Sequence, residues 1–396
     1  MLSFLNTEIA FKGRSNKELN QSFFLFKMMG YPSLVKYGKG FLRFAFKVQL
    51  PIRGIIKKTI YKQFCGGENI NECNHVINEL YGGYHVGTIL DYSAEGEAIE
   101  ASFEYCKNEV LKTIALAKGN RRIPFSVFKI TGLARFELLV KVQAKEELSA
   151  EESLEFDRVK ARIEELCKAA ADSDVRIFMD GEETWIQKVI DEIAEEMIVR
   201  YNKEKAIVFN TIQLYRNDRI LYLKEQILNA RNLGYFYGVK LVRGAYMEKE
   251  RKRAQVNAYD SPINKTKEET DRLFNKAITI CIENIDSVNF CAGTHNETSC
   301  LHLTQMMAQR GIKNNDHRVY FAQLFGMSNH ISFNLAAEGY NVAKYVPYGP
   351  VEKLLPYLIR RAKENTSIAG QTGRELRLII TEKRRRDTME KSRITP

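Results

Sequence analysis

The chain has 396 residues, of which 44% are hydrophobic and 28% charged, a balance typical of a globular protein with one large or two medium domains. Its formal net charge is +11, but residues 1–64 hold twelve basic and two acidic side chains, and residues 372–396 hold eight and four. Basic ends disfavour a nucleic-acid enzyme, whose basic side chains more often surround the active groove, and no apolar run reaches the ~20 residues of a membrane span.

Seven cysteines are scattered through the chain without CxxC or Cys/His ligand spacing. Their odd number and irregular spacing predict reduced, mostly buried thiols in a cytoplasmic compartment and no structural metal. The N-terminus has neither the charge order nor the cleavage site of a signal peptide.

Residues 1–80 are predicted to form a basic, mainly helical N-terminal region. The segment 41–64, FLRFAFKVQLPIRGIIKKTIYKQF, interleaves Phe, Ile and Val with Arg and Lys, and Pro51 interrupts it. Two interpretations stay open: helices packed on the outside of the following domain, or peripheral docking on an anionic membrane surface.

From about residue 85 to residue 370, short β-rich apolar runs alternate with amphipathic segments of helical length. The predicted strands are 88–94, 125–132, 175–181, 206–215, 235–244, 289–296, 318–325 and 341–349. Eight such units favour an α/β fold, a (β/α)₈ TIM barrel over residues 81–370, with a doubly wound open sheet as the structural alternative.

Polar or charged side chains stand at the end of nearly every predicted strand. They are Asp91, Lys129, Asp180, Gln213, Lys240 with Arg243, Thr294 with His295 and Asn296, Gln323, and Tyr345. Any one of them alone could be a polar residue where a strand meets a loop, but together they describe a large polar barrel mouth. Cations outnumber carboxylates there, which suits an anionic ligand or a cofactor pyrophosphate, and the sequence contains no HExxH motif or P-loop.

A last helix is predicted over residues 350–364, between Pro350 and Gly370. Tyr357, Arg360 and Arg361 are spaced i, i+3 and i+4 and therefore share one face. The two arginines are either solvated on an outer helix or form a carboxylate clamp, because each guanidinium can bond two oxygens. Residues 371–396 are predicted to be a basic C-terminal tail, in which the segment EKRRRDTMEKSR (382–393) is solvated.

The motifs KLVRGAYM (240–247), GTHNET (293–298), FAQLFGMS (321–328) and YLIRRAKEN (357–365) resemble proline dehydrogenase, the flavin enzyme of proline catabolism. FMDGEETWIQ (178–187) and FNTIQLYRND (209–218) fit the same family in the same order, so the resemblance spans roughly residues 85–370. Since nothing after the predicted barrel could form an aldehyde dehydrogenase domain, the monofunctional type is expected.

This resemblance implies a distorted barrel that holds FAD at the carboxyl ends of its strands, under the last helix. It assigns the proline carboxylate to Arg360, Arg361 and Lys129, the walls of the ring to Leu324, Tyr345 and Tyr357, and the catalytic positions to Asp180 and Lys240. The implied FAD contacts are Gln213, Lys240, Arg243, Gly244, Ala245, Thr294, His295 and Asn296.

The implied reaction is oxidation of L-proline to Δ1-pyrroline-5-carboxylate, the first step of proline degradation to glutamate, with electrons passed to a quinone. Many bacterial members carry an arginine beside the flavin where this chain has Lys240. A lysine keeps the positive charge but lacks the planar guanidinium with its paired N–H donors. Hydroxyproline oxidation is the alternative within the fold, and a non-catalytic basic membrane or nucleic-acid adaptor is the alternative outside it. No nucleic-acid partner is expected. The expected location is cytoplasmic, with peripheral contact at the inner membrane through residues 41–64.

Overall fold

The barrel predicted from the sequence is confirmed. The computed structural model describes residues 2–31, 51–92, 99–367 and 371–394. Eight parallel strands close into a barrel in chain order, so the open doubly wound sheet is wrong. The strands are β1 (Gly87–Tyr92), β2 (Phe125–Phe128), β3 (Arg176–Met179), β4 (Val208–Gln213), β5 (Tyr237–Val242), β6 (Val288–Gly293), β7 (Val319–Leu324) and β8 (Val342–Tyr348). Closure joins β1 to β8 over six residue pairs, among them Ile89 with Tyr345.

Helices alternate with these strands, and further helices stand at both ends of the chain. They are α1 (Thr7–Phe11), α2 (Asn16–Met29), α3 (Arg53–Ile56), α4 (Lys62–Phe64), α5 (Ile70–Tyr84), α6 (Glu100–Ala117), α7 (Phe136–Ala144), α8 (Ala150–Asp172), α9 (Thr184–Tyr201), α10 (Arg219–Leu233), α11 (Met247–Val256), α12 (Lys267–Glu283), α13 (Glu297–Gln309), α14 (Asn329–Ala337), α15 (Val351–Ser367) and α16 (Gln371–Ile394). A π-helical turn, Lys57–Tyr61, joins α3 to α4. Within the described residues, none of these helices has both the length and the apolar character needed to cross a membrane.

The barrel interior is filled by side chains, which confines a ligand site to one edge. Successive strand residues point to opposite faces, so Ile89 lies inside the barrel while Leu90 packs outward against the helices. Inside, the rings of Phe125 and Phe178 stack with centroids 4.3 Å apart. The polar ends of the strands therefore meet above a packed floor at the carboxyl edge.

The N-terminal helices pack on the loops that follow the last two strands. The hydroxyl of Tyr61 donates to the carbonyl of Gly349 over 2.8 Å, and the Gln63 amide donates to the carbonyl of Gly326 over 2.8 Å. A separate apolar cluster joins α2, α15 and α16 through Phe26, Leu354 and Ile379, among others. The described part of residues 1–80 thus packs on the barrel, whereas residues 41–50, on which the membrane hypothesis also depends, lie outside the described residues.

The basic C-terminal tail is a helix, and the solvation predicted for residues 382–393 holds for the exposed residues 387–392 but not for the buried Glu382. Residues 371–394 form the helix α16, whose Leu378, Ile379 and Glu382 are buried. The Glu382 carboxylate accepts from Arg385 at 2.8 Å and from Arg386 at 2.7 Å, and Arg386 also donates to the carbonyl of Phe11. The high charge of this segment predicted full exposure, but Glu382 pairs with Arg385 and Arg386, so that one face of the helix can be buried.

The last predicted helix and the cysteine prediction are both supported. The helix α15 begins at Val351, directly after Pro350, and continues to Ser367 across an internal Pro356, while the predicted terminator Gly370 lies outside the described residues. All seven cysteines are free and buried, as their spacing predicted.

Candidate active site

Three polar side chains from three strand ends meet at the centre of the barrel mouth. Lys240 of β5 forms an ion pair with Asp180, which directly follows β3. The Lys240 ammonium also donates to the Tyr345 hydroxyl over 2.7 Å, and that hydroxyl donates to Asp180 over 2.9 Å. Lys240 and Tyr345 are 5% and 8% exposed, so this triangle lies in a largely water-excluded site. The predicted catalytic pair, Asp180 and Lys240, is therefore in direct contact.

The surroundings of this triangle fix its protonation and charge. Burial, and then the charge of Asp180, raise the pKa of Tyr345 well above its usual value, so the phenol stays protonated and keeps donating. The Lys240 ammonium also lies 4.7 Å from the centroid of the Tyr345 ring and 5.1 Å from that of Phe178. A cation held against two aromatic faces and one carboxylate is a fixed positive charge in a region of low polarity.

Gln213, at the end of β4, presents an oriented acceptor. Its amide nitrogen donates to the carbonyl of Glu182 over 2.8 Å, and Gly181 packs so closely that an added Cβ would lie 3.1 Å from the Gln213 side chain. Among the described residues, nothing donates to its buried Oε1 atom. Buried acceptors are rarely left unsatisfied, so this oxygen is suited to an N–H donor of a ligand.

Arg243, which follows β5, is held by residues of its own and of the next unit rather than projecting into solvent. Its guanidinium bonds Asp271 over 2.6 Å, Ser299 over 2.9 Å and the hydroxyl of Thr294. The next residue, Gly244, has φ +128° and packs on the ring of Tyr215, which an added Cβ would approach to 2.5 Å. A side chain is therefore excluded at Gly244, while Ala245 beside it is exposed.

The segment after β6 places His295 against the loop after β7. The His295 Nδ1 atom lies 2.8 Å from the Ser328 hydroxyl, and the backbone N–H of Leu324 points at Nε2 over 3.4 Å. Burial, followed by the charges of Lys344 and Arg361, lowers the pKa of His295 to about 3. Because a backbone N–H can only donate, Nε2 must be the acceptor, and the neutral ring carries its proton on Nδ1. The Nδ1–H group therefore donates a hydrogen bond to the Ser328 hydroxyl.

Asn296 has a local structural role. Its side-chain oxygen accepts the backbone N–H of Ser299 over 3.0 Å, which makes Asn296 the N-cap of α13. Its own backbone N–H donates to the hydroxyl of Thr294 over 3.1 Å. The motif residues Thr294 to Asn296 are thus fixed by the start of this helix.

The helix α15 brings Tyr357 and Arg361 to the same site, as their spacing predicted. The Arg361 guanidinium lies 5.1 Å from the Tyr357 ring, and its NH2 group donates to Glu364 over 2.6 Å. The charge of Arg361 acts together with burial and the charge of Lys344 to lower the pKa of His295. Arg361 is buried and Arg360 is half-buried, so neither lies on a fully solvated outer face.

Leu324 joins the two halves of the site. Its partly buried side chain packs both against the interior cluster that contains Tyr345 and against the outer cluster that contains Tyr357. The predicted wall residues Leu324, Tyr345 and Tyr357 are therefore contiguous. The buried hydroxyl of Tyr357 has no hydrogen-bond partner among the described residues.

Lys129, the remaining predicted substrate residue, lies just beyond β2 and is half-buried. Two residues further on, the backbone N–H of Thr131 donates to the carboxylate of Glu182 over 3.0 Å. Burial raises the pKa of Glu182 to about 7, against the opposing effect of Thr131 and of the Lys129 charge.

Sequence reasoning missed three residues that contact the site. Glu364 could have been found, because it stands three positions after Arg361 on a predicted helix. Glu182 and Ser328 gave no signal beyond their presence in motifs, because their partners follow a neighbouring strand that is far away in the sequence. Within the described ranges, no three His, Cys, Asp or Glu side chains converge as metal ligands do.

Comparison with known proteins places the chain in one family. The family model described as proline dehydrogenase matches residues 74–374. The chain is 40% identical over 235 residues to "Proline dehydrogenase 1, mitochondrial" of Drosophila melanogaster, an alignment that covers 57% of this chain and 34% of that protein. It is 31% identical to the hydroxyproline dehydrogenase of Xenopus laevis over 412 residues, which covers 95% of this chain and 88% of that one.

The fold also matches solved structures. A structure of proline utilization A from Bdellovibrio bacteriovorus, inactivated by N-propargylglycine, aligns with a TM-score of 0.71 at 20% identity. It covers 92% of this chain and 38% of the other, so this likeness concerns the barrel fold alone. Because the family model spans most of the chain, the protein belongs to the proline dehydrogenase family.

Proposed function

We propose that this chain oxidises L-proline to Δ1-pyrroline-5-carboxylate with FAD as its cofactor. The observation that carries this proposal is the buried contact of Lys240, Asp180 and Tyr345, to which Leu324 links the helix α15 with its Tyr357 and Arg361. This arrangement combines a buried fixed cation for an electron-accepting group with a guanidinium and an aromatic wall for a small cyclic carboxylate. Family membership supports the reaction class.

The residues at the strand ends fit a flavin. The buried, unsatisfied Oε1 of Gln213 is a ready acceptor for a ring N–H. FAD, when bound, would supply the hydride-accepting ring system. The residues proposed to hold it are Gln213, Lys240, Arg243, Gly244, Ala245, Thr294, His295 and Asn296.

The proline carboxylate would be bound by Arg360, Arg361 and Lys129. Arg361 donates to the Glu364 carboxylate over 2.6 Å, and a carboxylate is also the group of proline that the proposal assigns to this guanidinium. Leu324, Tyr345 and Tyr357 would pack around the pyrrolidine ring and exclude water from it. Asp180 would balance the cationic partner beside the ring.

The chain's own contribution to rate would be orientation and electrostatics. Proline reacting with a neutral amine requires no strong acid or base, and the neutral His295 and Tyr345 are consistent with that requirement. Alignment alone can provide effective molarities on the order of 10⁵ M or more. Lys240, held by Asp180 in a site of low polarity, would favour an electron-rich reduced cofactor.

Hydroxyproline is the second candidate substrate. The Xenopus laevis relative is named a hydroxyproline dehydrogenase, and its alignment covers nearly the whole of this chain. In the proposed binding mode, Tyr345 would lie near the ring atoms where an extra hydroxyl must fit. Comparing kcat/KM for L-proline and hydroxyproline, with the product imine identified by mass spectrometry, decides between the two substrates. A higher value for hydroxyproline would contradict the proposal.

We further propose that the electrons pass to a quinone and that the protein is cytoplasmic, docking peripherally at the inner membrane through residues 41–64. The described part of this segment exposes 66% of Ile55 beside the basic residues Lys57 and Lys58. Such a pairing of an apolar side chain with cations suits an anionic lipid surface. The basic adaptor alternative would instead predict no bound flavin and salt-sensitive binding to polyanions.

A further inference from the structure

The loop between β7 and α14, residues 325–328, separates His295 from the last helix of the chain. Its final residue, Ser328, has φ +50° and is 5% exposed. This left-handed conformation is uncommon for a residue other than glycine and persists only where neighbouring contacts hold it. The conformation directs the Ser328 hydroxyl to the Nδ1 atom of His295, 2.8 Å away.

The contact that holds Ser328 comes from α16. The Glu375 carboxylate accepts the backbone N–H of Ser328 over 2.6 Å, and Glu375 itself is 7% exposed. A hydrogen bond from a buried backbone N–H to a carboxylate is charge-assisted and therefore stronger than one between neutral groups. Ser328 thus lies between a buried carboxylate on one side and the imidazole on the other.

The neighbouring residue of α16 holds the other loop that forms this contact. Arg374 donates to Glu297 over 2.6 Å, and Glu297 begins α13 directly after Asn296. Glu297 also bonds the imidazole of His330 over 2.8 Å. Two successive residues of α16 therefore fix the loop after β6 and the loop after β7, and these two loops meet at His295.

A buried lysine supports the same loop from the barrel side. The Lys344 ammonium donates to the carbonyl of Met327, and Lys344 is fully buried. Burial lowers the pKa of Lys344 to about 7, while the charge of Glu375 acts in the opposite direction. Lys344 and Glu375 hold the same peptide group from its two ends, Lys344 through the Met327 carbonyl and Glu375 through the Ser328 N–H.

We propose that Glu375 is a positioning residue for His295 and acts through Ser328. The inference rests on the proposed function, which assigns His295 to the flavin. By fixing Ser328, Glu375 keeps the histidine proton on Nδ1 and leaves Nε2 as an acceptor, in the way that outer contacts fix the tautomer of metal-bound histidines. The last helix is then part of the flavin side of the barrel mouth.

The test compares three variants of the full chain with the unchanged protein. Glu375→Ala removes the acceptor, whereas Glu375→Gln keeps one carbonyl oxygen for the Ser328 N–H. Glu382→Ala is the matched control, because Glu382 is a buried glutamate of the same helix that bonds Arg385 and Arg386 instead of the loop. The first readout is the pair of imidazole nitrogen NMR shifts of His295 without FAD, assigned from the signals lost in His295→Asn. The second is the dissociation constant for FAD.

The proposal expects Glu375→Ala to shift the His295 nitrogens towards a mixture of tautomers and to weaken FAD binding about tenfold. Glu375→Gln should retain the Nδ1–H tautomer and bind FAD within about threefold of the unchanged chain. Unchanged His295 shifts in Glu375→Ala would overturn the inference, as would equal effects of Glu382→Ala. Failure of the unchanged chain to bind FAD would contradict the proposed function instead, because the NMR comparison needs no cofactor.

Discussion

Lys240 on β5 and Tyr345 on β8 are joined across the barrel mouth by a hydrogen bond of 2.7 Å. The lysine ammonium also lies 4.7 Å from the centroid of the tyrosine ring, and both side chains bond the single carboxylate of Asp180. The cation is thereby fixed in position before any ligand arrives. Such preorganisation is what electrostatic catalysis requires.

Replacing Lys240 tests this fixed charge. We expect Lys240→Met to lower kcat about 100-fold, because it removes a preorganised charge, and to lower the free energy of unfolding by about 3 kcal/mol, because the Asp180 carboxylate loses its cation. Lys240→Arg keeps the charge and should retain kcat within about tenfold. Stopped-flow reduction and denaturant unfolding measure the two effects. Equal kcat in both variants would show that the charge at this position does not matter.

Replacing Arg361 tests the carboxylate clamp. Arg361→Met should raise KM for proline about 100-fold while FAD stays bound, because a buried charge-assisted contact is lost. Arg377→Met, an exposed arginine of α16, is the control and should leave KM unchanged. Glu364→Gln should lower KM about threefold, because a weaker partner then competes with the substrate for Arg361. An unchanged KM for proline in Arg361→Met would contradict the proposed binding of the proline carboxylate by Arg361.

Lys344 predicts a specific pH dependence of stability. Its folded pKa is lowered to about 7 from 10.5, so between these values the unfolded chain binds more protons and stability rises with pH. From about pH 7.5 to about pH 9, the unchanged chain should gain up to about 2 kcal/mol relative to Lys344→Met. Lys313→Met, at an exposed position, should keep the slope of the unchanged chain. Parallel slopes for all three proteins in urea unfolding would exclude a buried lysine with a lowered pKa.

Point substitutions within residues 53–64 test the membrane hypothesis without removing the contacts of this segment with the barrel. Deleting residues 1–64 should weaken liposome association, but it would also remove the Tyr61 and Gln63 contacts to the barrel loops. Ile55→Ser with Lys58→Glu changes only exposed side chains and should reduce binding to anionic liposomes several-fold.

The matched control for this surface is Leu228→Ser with Lys224→Glu, an exposed pair on α10 that should leave binding unchanged. Sedimentation with anionic and neutral vesicles measures the difference between the two double variants. Equal binding of both to anionic vesicles would remove residues 53–64 from the membrane hypothesis.

The sequence was sufficient for the barrel because its signals are local. Each strand is a short apolar run between amphipathic helices, so the polar residue that ends it, such as Asp180 or Gln213, could be placed at the carboxyl edge before the structure was known. The helical spacing of Tyr357 and Arg361 likewise predicted their shared face.

Contacts between distant elements could not be predicted in this way. Residues 382–393 of α16 were predicted to be solvated because they are highly charged. Glu382 is nevertheless buried, and Arg386 bonds Phe11 near the N-terminus, a contact that the sequence does not reveal. The contact of Glu375 with Ser328 joins residues 47 positions apart through one carboxylate, and no periodic pattern records it. The roles of the individual site residues therefore stay predictions until they are measured.

The most direct test of the central claim is an anaerobic absorption spectrum of the FAD-loaded chain before and after addition of L-proline, with D-proline as the control. The account predicts that the visible flavin band is lost with L-proline and retained with D-proline. A flavin that stays oxidised with L-proline but is reduced by hydroxyproline would show that hydroxyproline is the substrate. A chain that binds no FAD, or whose flavin neither substrate reduces, would contradict the proposed function.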